Sequence, residues 1–304
     1  MKNKKLTVSV GTSAYNEEQN IANMLRSVIS QKEKTIKIAE IIVISDGSKD
    51  NTVALAKSVK DNRIKIIDDG RRMGKAARVG ELLKRFSGDV LVVLDSDMIM
   101  KGKKTIENMV KKFIEDRKTA LVCGNAQPIP ARSFLESAIN NYIYARNYFY
   151  KQFNFGNTAY SAHGFLAYSK AFAQTLTIPS GVLNDDAYSY FMCMSKGYKH
   201  YFAKNAVVMY RSPSSIKDHI HQSIRHLAGG DQLCEYFGKE VVDMGFYVPK
   251  EINLRLLIYQ SVKNPLGYAF VKLLNFYCKL RSKALYRKLD IRWATIKSSK
   301  MSIL

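Results

Sequence analysis

Acidic residues are scarce in this chain. Against 48 Lys and Arg stand only 26 Asp and Glu, a formal net charge of +22 over 304 residues. Cysteine is scarcer still. Cys123, Cys193, Cys234 and Cys278 lie far apart with no C-x-x-C spacing, which excludes a zinc knuckle and a disulfide framework. Such thiols fit a reducing compartment. With 17 Gly and 6 Pro, collagen-like and Pro-rich linker classes are excluded. No stretch of about 18 uninterrupted apolar residues is present, so no spanning helix is expected. The apolar run at 6–10, behind the basic residues 1–5, is too short for a secretory core. The expected location is the cytoplasm, or the cytoplasmic face of a membrane as a peripheral protein. What is present is an ordinary soluble composition, 46% apolar and 24% charged, in a chain long enough to bury a sizeable core. The charge itself points to a polyanionic partner: nucleic acid, anionic membrane or a phosphorylated ligand.

The first half alternates two periodicities. Continuous apolar, β-branched runs at 6–10, 41–44, 64–67, 90–94 and 120–123 read as buried strands. Between them, 20–30, 52–59, 76–86 and 105–113 carry apolar residues at helical spacing, as in Ile21, Met24, Leu25, Val28 and Ile29. The alternation predicts an α/β fold, a mostly parallel sheet covered on both faces by helices. Ligands of such sheets bind at the carboxyl ends of the strands, and polar clusters follow those ends here. They are Ala14-Tyr15-Asn16-Glu17-Glu18, Ser45-Asp46-Gly47-Ser48-Lys49-Asp50, Arg71-Arg72-Met73-Gly74-Lys75 and Asp95-Ser96-Asp97. Singly, each has a plain structural reading: Asp46-Gly47 as a turn, Ser48 or Asp50 as a helix cap, Lys75 as a solvated cation. Gly74-Lys75 lacks the remaining residues of a phosphate loop. Asp95 and Asp97, one residue apart at a strand end, are suited to a hard divalent cation bridging phosphates.

The order and spacing of the clusters are more specific than any one of them. From about residue 7 to about residue 230 the series resembles family 2 glycosyltransferases, inverting enzymes with the nucleotide-sugar-binding GT-A fold. The resemblance implies a nucleotide-diphosphate-sugar donor, a UDP- or GDP-sugar. It implies donor contacts at Ala14, Tyr15, Glu17, Asp46, Lys75 and Asp95, and Mn²⁺ or Mg²⁺ at the D-x-D pair, on Asp97 with Asp95. Ser45 replaces the first of two Asp that many members carry before the Gly-Ser turn, which leaves base preference open.

The second half supplies the rest. Asn184-Asp185-Asp186 precedes a helical stretch at 187–196 that ends at Gly197. These residues can simply cap that helix and favour its dipole. The resemblance implies instead that Asp186 is the general base, with Asp185 its competitor, because inverting transfer needs a carboxylate to take the acceptor's proton. His163-Gly164 implies a turn lining the acceptor pocket. Gln222-Ser223-Ile224-Arg225-His226 resembles the Q-x-x-R-W segment of synthase-like members, with His226 replacing Trp. Gln222 and Arg225 are then expected near the donor diphosphate, where a guanidinium neutralises phosphate charge, and His226 near the acceptor. The stretch Tyr142, Tyr144, Tyr148, Phe149, Tyr150, Phe153 and Phe155, with Arg146 and Lys151, suits an acceptor-binding helix or core.

Residues 251–304 carry eleven Lys and Arg against Glu251 and Asp290, interleaved with aliphatic and aromatic side chains and broken at Pro265 and Gly267. Such basic helices can lie in a membrane interface or pack on the catalytic domain with their charge solvated. The expected organisation is a catalytic domain at 1–235, its donor half about 1–125 and acceptor half about 126–235, followed by a basic helical extension at 236–304. The expected activity is transfer of a sugar from the donor to an acceptor hydroxyl on a glycan or lipid-linked glycan, with an anionic membrane surface as a further partner and no nucleic acid. A nucleotidyltransferase on a similar fold, or a non-catalytic basic lipid- or nucleic-acid-binding module, are the rival readings.

Overall fold

A computed structural model describes residues 5–285 and 300–303. The chain begins with β1 (Leu6–Ala14), α1 (Ile21–Ile29), β2 (Ile36–Ser45), α2 (Thr52–Ser58), β3 (Ile64–Asp68), α3 (Lys75–Arg85), β4 (Val90–Leu94), β5 (Met98–Met100), α4 (Thr105–Glu115) and β6 (Thr119–Pro128). Then come α5 (Phe134–Tyr150), β7 (Phe165–Ser169), α6 (Lys170–Thr175), α7 (Asp185–Ser195), β8 (Lys199–Tyr210) and α8 (Ile216–Phe237). The helices α9 (Lys239–Gly245), α10 (Lys250–Lys263) and α11 (Pro265–Leu285) follow. Residues 286–299, part of the basic extension, lie outside the described residues.

The eight strands of the described residues share one sheet, ordered β3-β2-β1-β4-β7-β6-β8-β5. The first four pair in parallel, as their apolar composition predicts. Beyond β4 the sheet is mixed: β7 runs antiparallel to both β4 and β6, while β6 and β8 are parallel. Side chains alternate between two cores across the sheet. Val10, Ile41, Val43 and Val92 point to one, closed by Met24 and Leu25 of α1 and Ile106 and Met109 of α4. Ile42, Ile44, Leu91 and Val93 point to the other, closed by Val79 and Leu82 of α3, Phe172 of α6 and Phe191 of α7. Each such buried aliphatic side chain contributes roughly 1.5–3 kcal/mol.

Polar ties hold the sheet's layers in register. Glu40 is buried in β2, where its carboxylate accepts from Ser9 Oγ at 2.6 Å, Ser87 N and Oγ at 2.7 Å and Lys65 Nζ at 2.7 Å. Burial alone would raise its pKa, but these donors outweigh it and hold the group at about 2.

The helices α10 and α11 pack on α5 and α8. Leu256 of α10 and Tyr268, Val271 and Cys278 of α11 are buried, Val271 against Leu135 and Ile139 of α5. Their other faces expose Leu257, Ile258, Val262, Leu273, Phe276 and Leu280. The expected packing on the catalytic domain thus accounts for one face of these helices. Among the described residues, no helix is long and apolar enough to cross a membrane.

Candidate active site

The carboxyl ends of β1, β2 and β4 lie side by side, because these strands are parallel neighbours. Ala14 ends β1 fully buried, and Asn16 follows with φ 52°, a left-handed conformation that asparagine tolerates better than most residues. This turn is fixed from β2's loop: Thr52 Oγ1 accepts from Glu17 N at 2.6 Å, and Asn16 Oδ1 accepts from Lys49 N at 2.8 Å. Arg72 lies over the Tyr15 ring, its guanidinium carbon 3.1 Å from the centroid.

Asp46 is turned inward. It accepts from Met73 N at 2.7 Å, Gly74 N at 3.0 Å and Arg78 Nε at 3.0 Å. The Arg78 side chain is fully buried and reaches Asp69 and Glu81 as well. Asp46 therefore organises the 71–74 loop that leads into α3 and lays Arg72 on Tyr15. That loop ends at Gly74, φ 92°, and delivers Lys75 at the first position of α3.

Lys75 is the hub of the site. Its Nζ lies 2.8 Å from Asp95 Oδ1, 3.6 Å from Asp185 Oδ2 and 3.7 Å from Asp186 Oδ2. Burial works against its charge, yet the three carboxylates keep it protonated well above the ordinary lysine range. One ammonium does not balance the acids around it. Burial pushes Asp95 up to about 6 despite Lys75, with Asp186 and Asp97 adding to the rise. Burial, with Glu17 adding to it, pushes Asp97 to about 6 as well. Asp185, at the start of α7, is pushed by burial to about 7. Asp95 and Asp97 thus form a hard, electron-rich pair short of positive charge, which fits a divalent cation. No group of three or more His, Cys, Asp or Glu side chains poised for a metal exists among the described residues. A cation there would need further oxygens, and a diphosphate offers them.

Gly164 closes the arrangement. Asp95 N donates to its carbonyl at 2.9 Å, and its own N–H donates to Asp186 Oδ2 at 2.8 Å. Its φ is +53°, and a Cβ would stand 2.6 Å from Asp95 Oδ2 and 2.4 Å from Met98 Cε. Only glycine fits. Asp186 is the more open of the two α7 acids, its side chain 20% exposed against 7% for Asp185.

Helix α8 lies beneath. Gly229 packs against the Asn184 side chain, whose Nδ2 donates to the His226 carbonyl at 3.2 Å, and Gln232 binds the backbone of Gly181 and Leu183. Arg225 feels the charges of Asp185, Asp95, Asp186 and Asp97, so it faces the same acids as Lys75. Gln222 sits half-buried on this helix. His163, directly before Gly164, is half-buried. Burial and the Arg146 charge lower it to about 4, so it is neutral.

Three side chains in this site escaped the sequence reading. Arg72 stood in view within a quoted cluster and Arg78 three residues beyond it, but only the folded loop shows that one covers Tyr15 and the other anchors Asp46. Lys300 has no local signal at all. Its Nζ lies 2.8 Å from Glu17 Oε1 and bonds to the carbonyls of Tyr15 and Asn16, while its own carbonyl accepts from Asn20 Nδ2 at 3.1 Å. Arg211 Nη2 donates to the Ser302 carbonyl at 3.0 Å, fastening the same segment.

The family described as glycosyl transferase family 2 matches residues 9–176, more than half of the chain. An O-antigen chain rhamnosyltransferase, RfbN, of Salmonella typhimurium is 29% identical over 211 residues, 67% of this chain and 65% of that protein. A poly-beta-1,6-N-acetyl-D-glucosamine synthase of Staphylococcus aureus is 34% identical over 114 residues, 37% of this chain and 27% of the synthase. The chain therefore spans about a quarter of the synthase's length and just under two thirds of the rhamnosyltransferase's. Among solved structures, a mannosyltransferase from Pyrobaculum calidifontis, in complex with GDP-Man and Mn²⁺, superposes with a TM-score of 0.59 at 19% identity, covering 94% of this chain and 80% of that one. Glucosyl-3-phosphoglycerate synthase from Mycobacterium tuberculosis, with Mn²⁺, UDP and phosphoglyceric acid, superposes with a TM-score of 0.55 at 18% identity, covering 77% and 79%.

Proposed function

The chain belongs to glycosyltransferase family 2, and from that premise we propose that it transfers a sugar, with inversion, from a nucleotide-diphosphate donor to an acceptor hydroxyl. One observation carries the reading. Lys75, Asp95, Asp185, Asp186 and Gly164 converge from four elements onto one point at the carboxyl end of β4. Similarity to proteins crystallised with GDP-Man or with UDP supports the donor class.

In this reading the nucleoside lies along the ends of β1 and β2, near Tyr15, Glu17 and Arg72, above the loop that Asp46 organises. Its diphosphate points toward Asp95 and Asp97, which would hold the divalent cation. That cation, when bound, supplies positive charge to the departing diphosphate. Lys75 and Arg225 offset part of the charge of the surrounding acids, and a bound cation would offset more, which eases the entry of an anionic donor. Asp186 is the base. Its Oδ2 is steadied by the Gly164 N–H, it is the more exposed acid of α7, and it takes the proton of the acceptor hydroxyl as that oxygen attacks the anomeric carbon. Asp185, more deeply buried, positions Lys75. Gly164 and His163 form the wall between donor and acceptor, with His226 further along α8. The catalytic unit is residues 1–235. The exposed apolar face of α10 and α11, flanked by Lys263, Lys272 and Lys279, rests on an anionic membrane surface at the cytoplasmic face and brings membrane-proximal glycan acceptors within reach.

Asp186→Asn tests the assignment. Release of nucleoside diphosphate from a panel of UDP- and GDP-sugars should fall by about 10²-fold or more, with the melting temperature and nucleotide affinity retained. Unchanged turnover would refute the base, and pyrophosphate as the product would refute the reaction class.

A further inference from the structure

Beside Asp186 lies a recess that the donor chemistry does not use. Its walls include Asn125 of β6, Asn147, Tyr150 and Lys151 at the end of α5, and Tyr160 and His163 of the following segment. Lys151 Nζ bonds to Asn125 Oδ1 at 2.8 Å and lies 5.1 Å from the Phe202 ring centroid. One turn back on the same helix is Arg146, whose charge acts on Lys151, Tyr160 and His163 and so belongs to the same neighbourhood. Neither cation forms an ion pair with a carboxylate among the described residues. Arg146 Nε and His163 Nε2 are both buried without a hydrogen-bond partner.

A half-buried ammonium lining the recess with no anion opposite it, beside a guanidinium whose buried Nε–H is unspent, is costly unless something negative arrives. Elsewhere the molecule compensates its buried cations closely: Arg78 meets three carboxylates and Arg211 meets Glu136. The Lys151 ammonium shows the strain of the arrangement, lowered to about 8 by burial and by Arg146. The recess is also tied to the reacting centre. His163 directly precedes Gly164, whose N–H holds Asp186, and the Asp186 charge reaches His163.

We propose that this recess is an acceptor subsite for a phosphate group, with Arg146 and Lys151 binding the phosphoryl oxygens while the acceptor's nucleophile faces Asp186. The inference rests on the glycosyltransferase reading and narrows its acceptor to a phosphoester. A planar guanidinium beside a point-charge ammonium suits a tetrahedral anion better than a neutral sugar ring. A soluble sugar phosphate and a lipid phosphate present the same group.

The experiment uses the full chain, saturated with Mn²⁺ and whichever of UDP, GDP or TDP binds it in calorimetry, so that the donor diphosphate site is filled. It is then titrated with glycerol 3-phosphate, with glycerol as the neutral control, and in parallel with phosphatidylcholine vesicles with and without phosphatidic acid. Binding of one phosphoester form, weakened about tenfold or more in Arg146→Gln/Lys151→Gln, is the expected result, and the form that binds names the source. Lys151→Arg should restore most of the affinity, which separates loss of charge from loss of fold. Nucleoside diphosphate affinity should stay unchanged in all variants. If the nucleotide binds but neither phosphoester does, or the double variant binds as the wild type, or glycerol binds equally well, the subsite is refuted while the glycosyltransferase reading stands. If no nucleoside diphosphate binds, that reading fails and the inference falls with it.

Discussion

Replacing Asp185 by Asn should stabilise the protein at pH 8 and do little at pH 4. The carboxyl is buried at the first position of α7, and burial raises it from an ordinary aspartate's 3.8 to about 7. A carboxyl raised in the folded state is favourable to folding while protonated. The sign follows. Below the unfolded pKa of about 3.9 both states carry the proton, and there is no penalty. Between there and pH 7 the unfolded chain ionises while the folded one resists, so stability falls, and above 7 the full penalty is present. Its ceiling is roughly 4 kcal/mol, at 1.36 kcal/mol for each pH unit. Two effects reduce the gain from removing it. The ionised form attracts Lys75 across 3.6 Å, and a carboxylate at a helix N-terminus contributes about 0.3–1 kcal/mol. Burial is nevertheless the largest influence on this group, so about 1–3 kcal/mol should remain at pH 8. In a chain of this size that raises the melting temperature by at least about 2 °C. Melts in EDTA, at pH 4, 6 and 8, follow the difference between variant and wild type. It should grow with pH. A variant less stable than the wild type at pH 8 would show that helix-terminal charge and the attraction to Lys75 outweigh burial, and would refute the reasoning.

Glu40 has the opposite sign. Held at about 2 when folded, it contributes stability that is complete above pH 4.5 and fades as the pH falls toward 2. Glu40→Gln should therefore lose about 2–3 kcal/mol at pH 7 and almost nothing near pH 2, as read from urea unfolding at each pH. Gly164→Ala places a Cβ against Asp95 and Met98 at positive φ, and should lower stability by about 1–3 kcal/mol and depress transfer more than donor affinity, seen in kcat against KM. Glu17 and Lys300 should show a coupling of about 1–3 kcal/mol in a double-mutant cycle, because Lys300→Met strands a buried carboxyl that Glu17→Gln removes. Additivity in melting free energies would show that the contact carries no energy.

Most of the donor half was legible because its physics is local. Four of the five apolar runs are largely buried strands and the fifth, β3, is a half-buried edge; such strands announce themselves by continuous β-branched residues. All four strand-end clusters lie where a parallel sheet puts its ligands, and Lys75, Asp95, Asp185 and Asp186 do meet. The half beyond β6 was harder to read. The strand β8, Lys199–Tyr210, mixes Lys, His and Asn with apolar residues and offers no clean period. Nothing in the sequence says that β7 slots between β4 and β6. Asp46 illustrates another limit. A motif places a carboxylate at a strand end, but whether it faces a ligand or folds back on Arg78 and the amides of Met73 and Gly74 depends on a loop 27 residues away. Lys300 marks the extreme, a contact with Glu17 spanning 283 positions that no window of sequence contains.

The interleaving of β7 bears on how such enzymes can be recombined. Because a strand from beyond residue 160 is hydrogen-bonded on one edge to β4 and on the other to β6, the front and back halves of the chain share a single seam. The Asp95–Gly164–Asp186 relay crosses it through two backbone hydrogen bonds. A chimera joined near residue 126, carrying the front of one relative and the back of another, must rebuild both ladders before it can align its acids. Exchanges confined to the 146–163 segment or to the 71–74 loop leave the seam intact. Those two segments can therefore be exchanged between relatives without breaking either ladder.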